Sequence, residues 1–415
     1  MVPKGWTHTT LGKVMVFKNG LNFTKADVGE EIKIVGVSDF KDLSELRSTE
    51  RLESVNVASH IKDDELLTDG DLLFVRSNGN KDLIGRCLFF PEVKERLSFS
   101  GFTIRGRADK KNILPQYIAF VARSSFFKSQ ISQYGGGTNI SNLSQQILND
   151  IALPLPPHDE QKKIVQILST WDKAIGTTEQ LLANSQQLKK ALMQQLLTGK
   201  KRLGIPDKSY EFQKTRYGII PKDWEYPAIK DICTQVTQKN TVSAGYPVLS
   251  CSKYDGFVDS LKYFKKKVYS DDTSGYRLIH RGCFGFPSNH VEEGSIGLQN
   301  LYDTGIVSPI YVVFRAKTKR VDNDYLYAVL KTDHYRQIFG AATNASVDRR
   351  GSLRWKEFSL IHVPLPPLDE QQKIAAVLST SDKEITALQQ KLDALKQEKK
   401  ALMQQLLTGK RRVKV

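Results

Sequence analysis

Seven histidines, His8, His60, His158, His280, His290, His334 and His362, are the first side chains to weigh for metal binding or proton transfer. No two of them stand in an HxH or HxxxH arrangement, so no local spacing brings two imidazoles to one zinc ion. Cys87, Cys233, Cys251 and Cys283 are scattered without a CxxC pair, which suggests neither a disulfide scaffold nor a four-thiolate site. Thr198-Gly-Lys200 carries only the tail of a phosphate-binding loop and lacks the glycine-rich part that would cradle the phosphates. Carboxylate runs such as Asp63, Asp64 and Glu65, or Glu292 and Glu293, read as solvated turns rather than acid and base pairs. The residues therefore predict no catalytic centre, no cofactor and no metal.

Hydrogen-bonding loops are the better chemical signal. Arg76-Ser-Asn-Gly-Asn-Lys81 follows the apolar run Leu72 to Val75, so a strand could hold Arg76, Asn78, Asn80 and Lys81 in register. Arg and Asn present the paired groups that suit guanine and adenine edges in a major groove. The alternative is an ordinary solvated hairpin. In the second half of the chain, Pro287-Ser-Asn-His-Val-Glu-Glu-Gly294 follows Cys283 to Phe286 and offers Ser288, Asn289 and His290 instead. Tyr134-Gly-Gly-Gly-Thr-Asn139 adds Tyr134, Thr138 and Asn139, with glycines that let a backbone approach phosphate closely. Its counterpart, Phe339 to Arg350, adds Asn344, Arg349 and Arg350, and a purely structural loop is an equal reading of this pair. Lys265, Lys266 and Lys267 fit nonspecific attraction to phosphate better than base selection, because flexible point charges discriminate poorly among base edges.

The whole chain leans the same way. Sixty-one Lys and Arg against 45 Asp and Glu give a net charge of +16, which favours a polyanionic partner through counterion release. A hydrophobic content of 40% is that of a folded protein and argues against disorder. No secretory h-region opens the sequence and no apolar run approaches a membrane span, so a cytoplasmic location without membrane attachment is expected.

Two copies of one module position these loops. The segment from Ile151 to Gln161, Ile-Ala-Leu-Pro-Leu-Pro-Pro-His-Asp-Glu-Gln, returns from Ile361 to Gln371 as Ile-His-Val-Pro-Leu-Pro-Pro-Leu-Asp-Glu-Gln. Ala191 to Lys200 returns unchanged at Ala401 to Lys410, again shifted by 210, while Pro3-Lys-Gly-Trp6 answers Pro221-Lys-Asp-Trp224 with a shift of 218. Within each copy, short apolar or alternating runs such as Ile32 to Val37, Phe99 to Ile104, Tyr246 to Ser250 and Ile310 to Phe314 predict a mainly β domain. Short helices are expected around Leu114 to Ser129 and Asp324 to Phe339.

After each Pro-rich segment the period changes. Ile164, Leu168, Trp171, Ile175, Thr178, Leu182, Ser185, Lys189, Leu192 and Leu196 alternate spacings of four and three, and the same positions recur from Ile374 to Leu406. This is a coiled-coil seam of roughly 60 Å, too long for one small domain to cover. Pairing the two helices antiparallel, with a globular domain at each end, is the economical solution. Gly199 and Gly409 stand where C-terminal caps are needed.

On Pro154, Leu155, Pro156, Pro157, Glu160 and Gln161, and on Pro364, Leu365, Pro366, Pro367, Glu370 and Gln371, each set leading into a heptad helix, the sequence resembles the specificity subunits of type I restriction-modification enzymes over nearly its whole length. The resemblance implies an α+β chain with two similar, mixed, mainly β target recognition domains separated by two long helices in an antiparallel coiled coil. Expected boundaries are 1–152 and 219–362 for the recognition domains, 153–200 and 363–415 for the helical regions, and 201–218 for a connector. It further implies a non-catalytic subunit that binds a bipartite, asymmetric site in double-stranded DNA. Its implied partners are two modification subunits, which carry adenine methyltransferase chemistry, and restriction subunits, which carry ATP hydrolysis and cleavage. Competing readings are a self-sufficient DNA enzyme, a coiled-coil scaffold for proteins only, and an independent DNA-binding regulator.

Overall fold

The computed structural model describes residues 3–24, 26–40, 43–58, 60–134, 142–206, 209–241, 245–343 and 352–414. The chain divides into two compact units: residues 1–180 with 389–415, and residues 181–388.

In unit 1 a four-stranded antiparallel sheet runs Met15–Asn19, Thr103–Ala108, Leu72–Val75, Cys87–Phe89. Leu72–Val75 is apolar throughout because both of its faces are covered. Leu72 and Phe74 face a core shared with Phe127, Tyr117 and Ile118, whereas Leu73 and Val75 face a second core with Val35, Phe40 and Phe99. A second sheet, Glu53–Val57, Glu30–Val35, Leu97–Phe99, closes the latter core. Helices Pro115–Ala122 and Ser125–Tyr134 occupy the segment expected to be helical; the break falls at Ser124, whose hydroxyl accepts from the Phe127 amide to start the second helix.

Unit 2 repeats the plan. Its sheet runs Cys233–Gln235, Tyr311–Ala316, Cys283–Pro287, Gly297–Leu298, and Phe284, Phe286, Val312 and Phe314 line one core while Cys283, Tyr311 and Val313 line another. The run from Tyr246 to Ser250 enters a strand only at Leu249, in the hairpin Leu249–Ser252 with Gly256–Asp259, since Pro247 has no N–H to give a ladder. Helices Asn323–Leu330 and Asp333–Ala342 match the pair in unit 1.

The long helices are His158–Leu196 and Leu368–Leu406. Every seam position named from the heptads is buried or half-buried, while most positions between them are exposed. Within unit 1 Asp172 pairs with Lys399, and Glu179 with Lys396 at 2.8 Å. Within unit 2 Ser185 donates to Glu384 at 3.2 Å and Lys189 pairs with Asp382. Partner numbers fall as residue numbers rise, so the pairing is antiparallel in both units. Lys189–Asp382 and Lys399–Asp172 are one interaction made twice, and such polar pairs in an apolar seam specify its register.

The Pro-rich signature now has a physical reason. In unit 1 Thr7–Thr10 pairs antiparallel with Ala152–Leu155, and the Tyr117 hydroxyl donates to the Pro154 carbonyl at 3.1 Å. Gln161 Nε2 donates to Pro156 O at 3.0 Å while its Oε1 accepts from Leu114 N at 2.9 Å, which ties the helix start to the domain. Glu160 accepts from Trp6 Nε1 at 2.9 Å and from Arg412 at 2.7 and 2.8 Å. Unit 2 repeats each contact: Tyr325 to Pro364 O, Gln371 to Pro366 O and Asp322 N, and Glu370 with Trp224 and Arg202. The arginines lie just past Gly409 and Gly199, whose φ of +72° and +67° turns each tail back from its helix end. An L side chain at Gly409 would also meet Pro3, and at Gly199 would meet Pro221, so glycine is required twice over.

Candidate nucleic-acid interface

In unit 1 the chain leaves Leu72–Val75 into the loop that begins at Arg76. The Arg76 amide donates to Phe102 O at 2.8 Å and its carbonyl accepts from Leu143 N at 2.7 Å, so the loop is anchored at its first residue. Among the described residues, the half-buried Arg76 guanidinium reaches only the Gly101 carbonyl, at a long 3.4 Å. Asn78 Oδ1 accepts from Asn80 N at 2.8 Å, and Asn80 Oδ1 accepts from Asp82 N at 3.0 Å to cap the short turn Lys81–Leu83. Gly85 N closes the loop on Val75 O at 2.9 Å. Arg76, Asn78, Asn80 and Lys81 are thus brought together on one braced loop, with Asn80 and Lys81 exposed.

The corresponding loop of unit 2 leaves Cys283–Pro287. Leu353 N donates to Ser288 O at 2.7 Å, the contact that Leu143 makes to Arg76 in unit 1. Sheet register agrees: Val75 lies opposite Thr103, and Pro287 opposite Tyr311, so Ser288 rather than Pro287 holds the position of Arg76. The one-residue difference from the order in sequence arises because Pro287 remains in the ladder. His290 Nδ1 lies 3.0 Å from Glu293 Oε1, and Asn289 Oδ1 is buried without a hydrogen-bond partner among the described residues. Lys331 Nζ donates to Gly294 O at 3.0 Å and to Lys253 O at 2.7 Å, bracing the loop's far end. Burial lowers the Lys331 pKa, partly opposed by Cys251 and Asp255.

Tyr134 ends its helix and is 53% exposed. Lys265, with φ +53°, ends the short helix Ser260–Phe264; Lys266 is exposed, and Lys267 pairs with Asp271 and lies 5.4 Å from the Tyr269 ring centre. Thr138, Asn139, Asn344, Arg349 and Arg350 lie outside the described residues.

Reactive groups are used for packing. Cys87 and Cys233 are buried, Cys251 is half-buried, and desolvation pushes all three thiols up to about 12, far from thiolate chemistry at neutral pH. Among the described residues, no three His, Cys, Asp or Glu side chains form a group able to hold a metal ion. No helix among them is long and apolar enough to cross a membrane. Sequence reasoning takes Lys410 to Arg412 as positive charge beside the helix end but misses the pairing of Arg412 with Glu160, as well as Arg202, Lys331 and the hairpin tip beside Gly294. The two arginines are signalled by the repeat itself, Gly199-Lys-Lys-Arg202 against Gly409-Lys-Arg-Arg412.

Comparison with known proteins accords with this architecture. The chain is similar over its full length to the putative type I restriction enzyme MjaX specificity subunit of Methanocaldococcus jannaschii, 27% identical over 433 residues and 95% of that protein. It is 22% identical over 387 residues to the EcoKI specificity subunit of Escherichia coli K12, covering 90% of this chain and 81% of that one. Among solved structures, the HsdS subunit from Thermoanaerobacter tengcongensis superposes with a TM-score of 0.51 at 19% identity, covering 98% of both chains. A type I S subunit from M. genitalium gives 0.56 at 13% identity, covering 98% of this chain and 96% of that one. The family model for the type I restriction modification DNA specificity domain matches twice, at residues 3–185 and 221–397, and the chain belongs to that family.

Proposed function

We propose that this chain is the non-catalytic address of a type I restriction-modification complex, each recognition domain reading one half of a bipartite, asymmetric site in double-stranded DNA. Residues 1–152 and 219–362 are the two readers, and 153–200 and 363–415 the helical regions. One observation carries the proposal: the same four-stranded sheet occurs twice, and from the same strand end it delivers chemically different loops. Arg76, Asn78, Asn80 and Lys81 on one side, and Ser288, Asn289 and His290 on the other, offer different donor and acceptor sets, which unlike half-sites require. Lys265, Lys266, Lys267 and Tyr134 serve phosphate and backbone contacts, as do Thr138, Asn139, Asn344, Arg349 and Arg350.

Modification subunits carry the adenine methylation, one on each half of the chain, and restriction subunits carry ATP-dependent cleavage. The duplicated helix faces support this, since repeated faces offer repeated contacts. Mapping adenine methylation in cells that hold the complex should return a two-part site, and ultracentrifugation should find two modification subunits per chain. The rigorously purified chain alone should neither methylate nor cleave DNA. A single uninterrupted recognition sequence, or activity in the isolated chain, would refute the proposal.

A further inference from the structure

Tyr254 sits at the tip of the hairpin Leu249–Ser252 with Gly256–Asp259 and is 81% exposed. A large aromatic ring left this open belongs to none of the apolar cores among the described residues of unit 2, yet the tip that carries it is built firmly. Ser252 Oγ accepts from the amides of Tyr254 and Asp255 at 3.3 and 3.2 Å and donates to Asp255 Oδ2 at 3.1 Å. Gly256, at φ +68°, lies so close to Tyr327 that a Cβ there would meet the phenol oxygen at 2.8 Å. Lys331 bridges the Lys253 carbonyl and the Gly294 carbonyl, which fixes the tip beside the end of the loop carrying Ser288, Asn289 and His290.

The surroundings are basic and aromatic. Lys253 Nζ lies 5.5 Å from the Tyr254 ring centre. The Tyr263 hydroxyl donates to Asp255 Oδ2 at 2.9 Å, which attaches the helix Ser260–Phe264 to the tip and brings in the exposed Lys262 and the run Lys265 to Lys267. Asp255 accepts from the Ser252 and Tyr263 hydroxyls, and Glu293 Oε1 lies 3.0 Å from His290 Nδ1, so both nearby carboxylates are held by local partners. An open ring beside a lysine is suited to a nucleotide: the base or sugar takes the ring face while a phosphate takes the cation.

We infer that the hairpin tip Ser252 to Gly256 is a second reading element of unit 2, with Tyr254 packing against a nucleotide of that unit's half-site and Lys253 holding an adjacent phosphate. This rests on the proposed division of the site between the units. Lys331 is a positioning residue that keeps the tip and the Ser288 loop in fixed relation.

The test uses the whole complex with its modification subunits and duplex DNA carrying the mapped site, with 2-aminopurine placed at successive positions of each half. Tyr254→Ala should weaken binding roughly ten-fold and change the fluorescence only in the half-site read by unit 2. Tyr254→Phe, which keeps the ring, should restore both. Lys253→Ala should lower the slope of log affinity against log salt by about 1 with no change in sequence preference. A Tyr254→Ala complex that binds, fluoresces and methylates as the parent does would overturn the inference, as would equal loss in both half-sites. If Asn289→Ala with His290→Ala still shifts the unit 2 half-site in that case, only the role of Tyr254 falls. If that variant too is silent, the assignment of a half-site to unit 2 falls with it.

Discussion

Arg123 and Lys331 follow matching helices, Pro115–Ala122 in unit 1 and Asn323–Leu330 in unit 2, and do different work. Arg123 turns back on its own helix: Nε donates to Ala119 O at 3.0 Å, the guanidinium covers Phe120, and Nη2 approaches Asp172 of the long helix at 3.9 Å. Lys331 points the other way and braces the loop and hairpin tip beside the candidate reading residues. The helix-anchoring contacts, by contrast, recur on matching residues in the two units. Scaffold positions that tie a domain to the helices are thus kept alike, whereas cations near the candidate reading loops differ, as the proposed reading of two unlike half-sites requires.

The anchor itself differs in one respect that can be measured. Arg202 is 3% exposed and pairs with two carboxylates, Glu370 and Asp223, whereas Arg412 is 43% exposed and pairs with Glu160, its Nη1 also donating to Lys4 O at 2.8 Å. Its partners' hydrogen bonds, Glu370 first, raise the Arg202 pKa against the desolvation that opposes them. Arg202→Ala leaves Glu370 buried without its cation and should cost about 3 kcal/mol of local stability. Hydrogen exchange of unit 2 amides reads that loss directly. Arg412→Ala should loosen unit 1 by clearly less, because solvent screens its exposed side. Equal losses would break the comparison.

Lys331→Met should remove two charge-assisted hydrogen bonds and cost about 1.5 kcal/mol. The visible consequence is faster exchange around Gly294 and weaker selection in the unit 2 half-site, with unit 1 unchanged. Arg123→Met should instead affect the packing of Phe120 and leave both half-site preferences intact, a contrast that methylation mapping can decide.

A smaller effect is expected from pH. Burial acts to raise the Glu160 pKa, but hydrogen bonds from Arg412 and Trp6 outweigh it and hold the carboxyl below the usual range. Its folded-state pKa therefore lies below the unfolded value. The anchor's contribution is complete above the ordinary carboxylate range and is lost as pH falls through the lowered folded value. Glu160→Gln should remove that component of the acid sensitivity of unit 1, as followed by hydrogen exchange across an acid titration.

Local periodicity makes much of the fold legible. The alternation of four and three from Ile164 to Leu196 and from Ile374 to Leu406 is realised at every seam position, because burying one helical stripe depends on residues a turn or two apart. Strand cores such as Leu72–Val75 are visible as apolar runs for the same reason. The Arg412–Glu160 and Arg202–Glu370 anchors span 252 and 168 residues and obey no local pattern, so only the repeat points to them. Tyr254 is hidden because an exposed tyrosine in a turn looks ordinary until the fold places it beside Gly294. The loops of Arg76 and Ser288 stand out in the sequence, but their matching there is off by one residue because a proline that stays in a ladder is invisible to sequence order.

The most direct test of the account maps adenine methylation in cells carrying the complex with either Arg76→Ala and Asn78→Ala, or Asn289→Ala and His290→Ala. Removing a good bidentate hydrogen-bond pair to a base should cost about 1 to 3 kcal/mol of discrimination. The account predicts that the first pair of substitutions relaxes selection in one half of the site only, and the second in the other half only. Methylation patterns unchanged by both pairs, or relaxed in both halves by either, would contradict it.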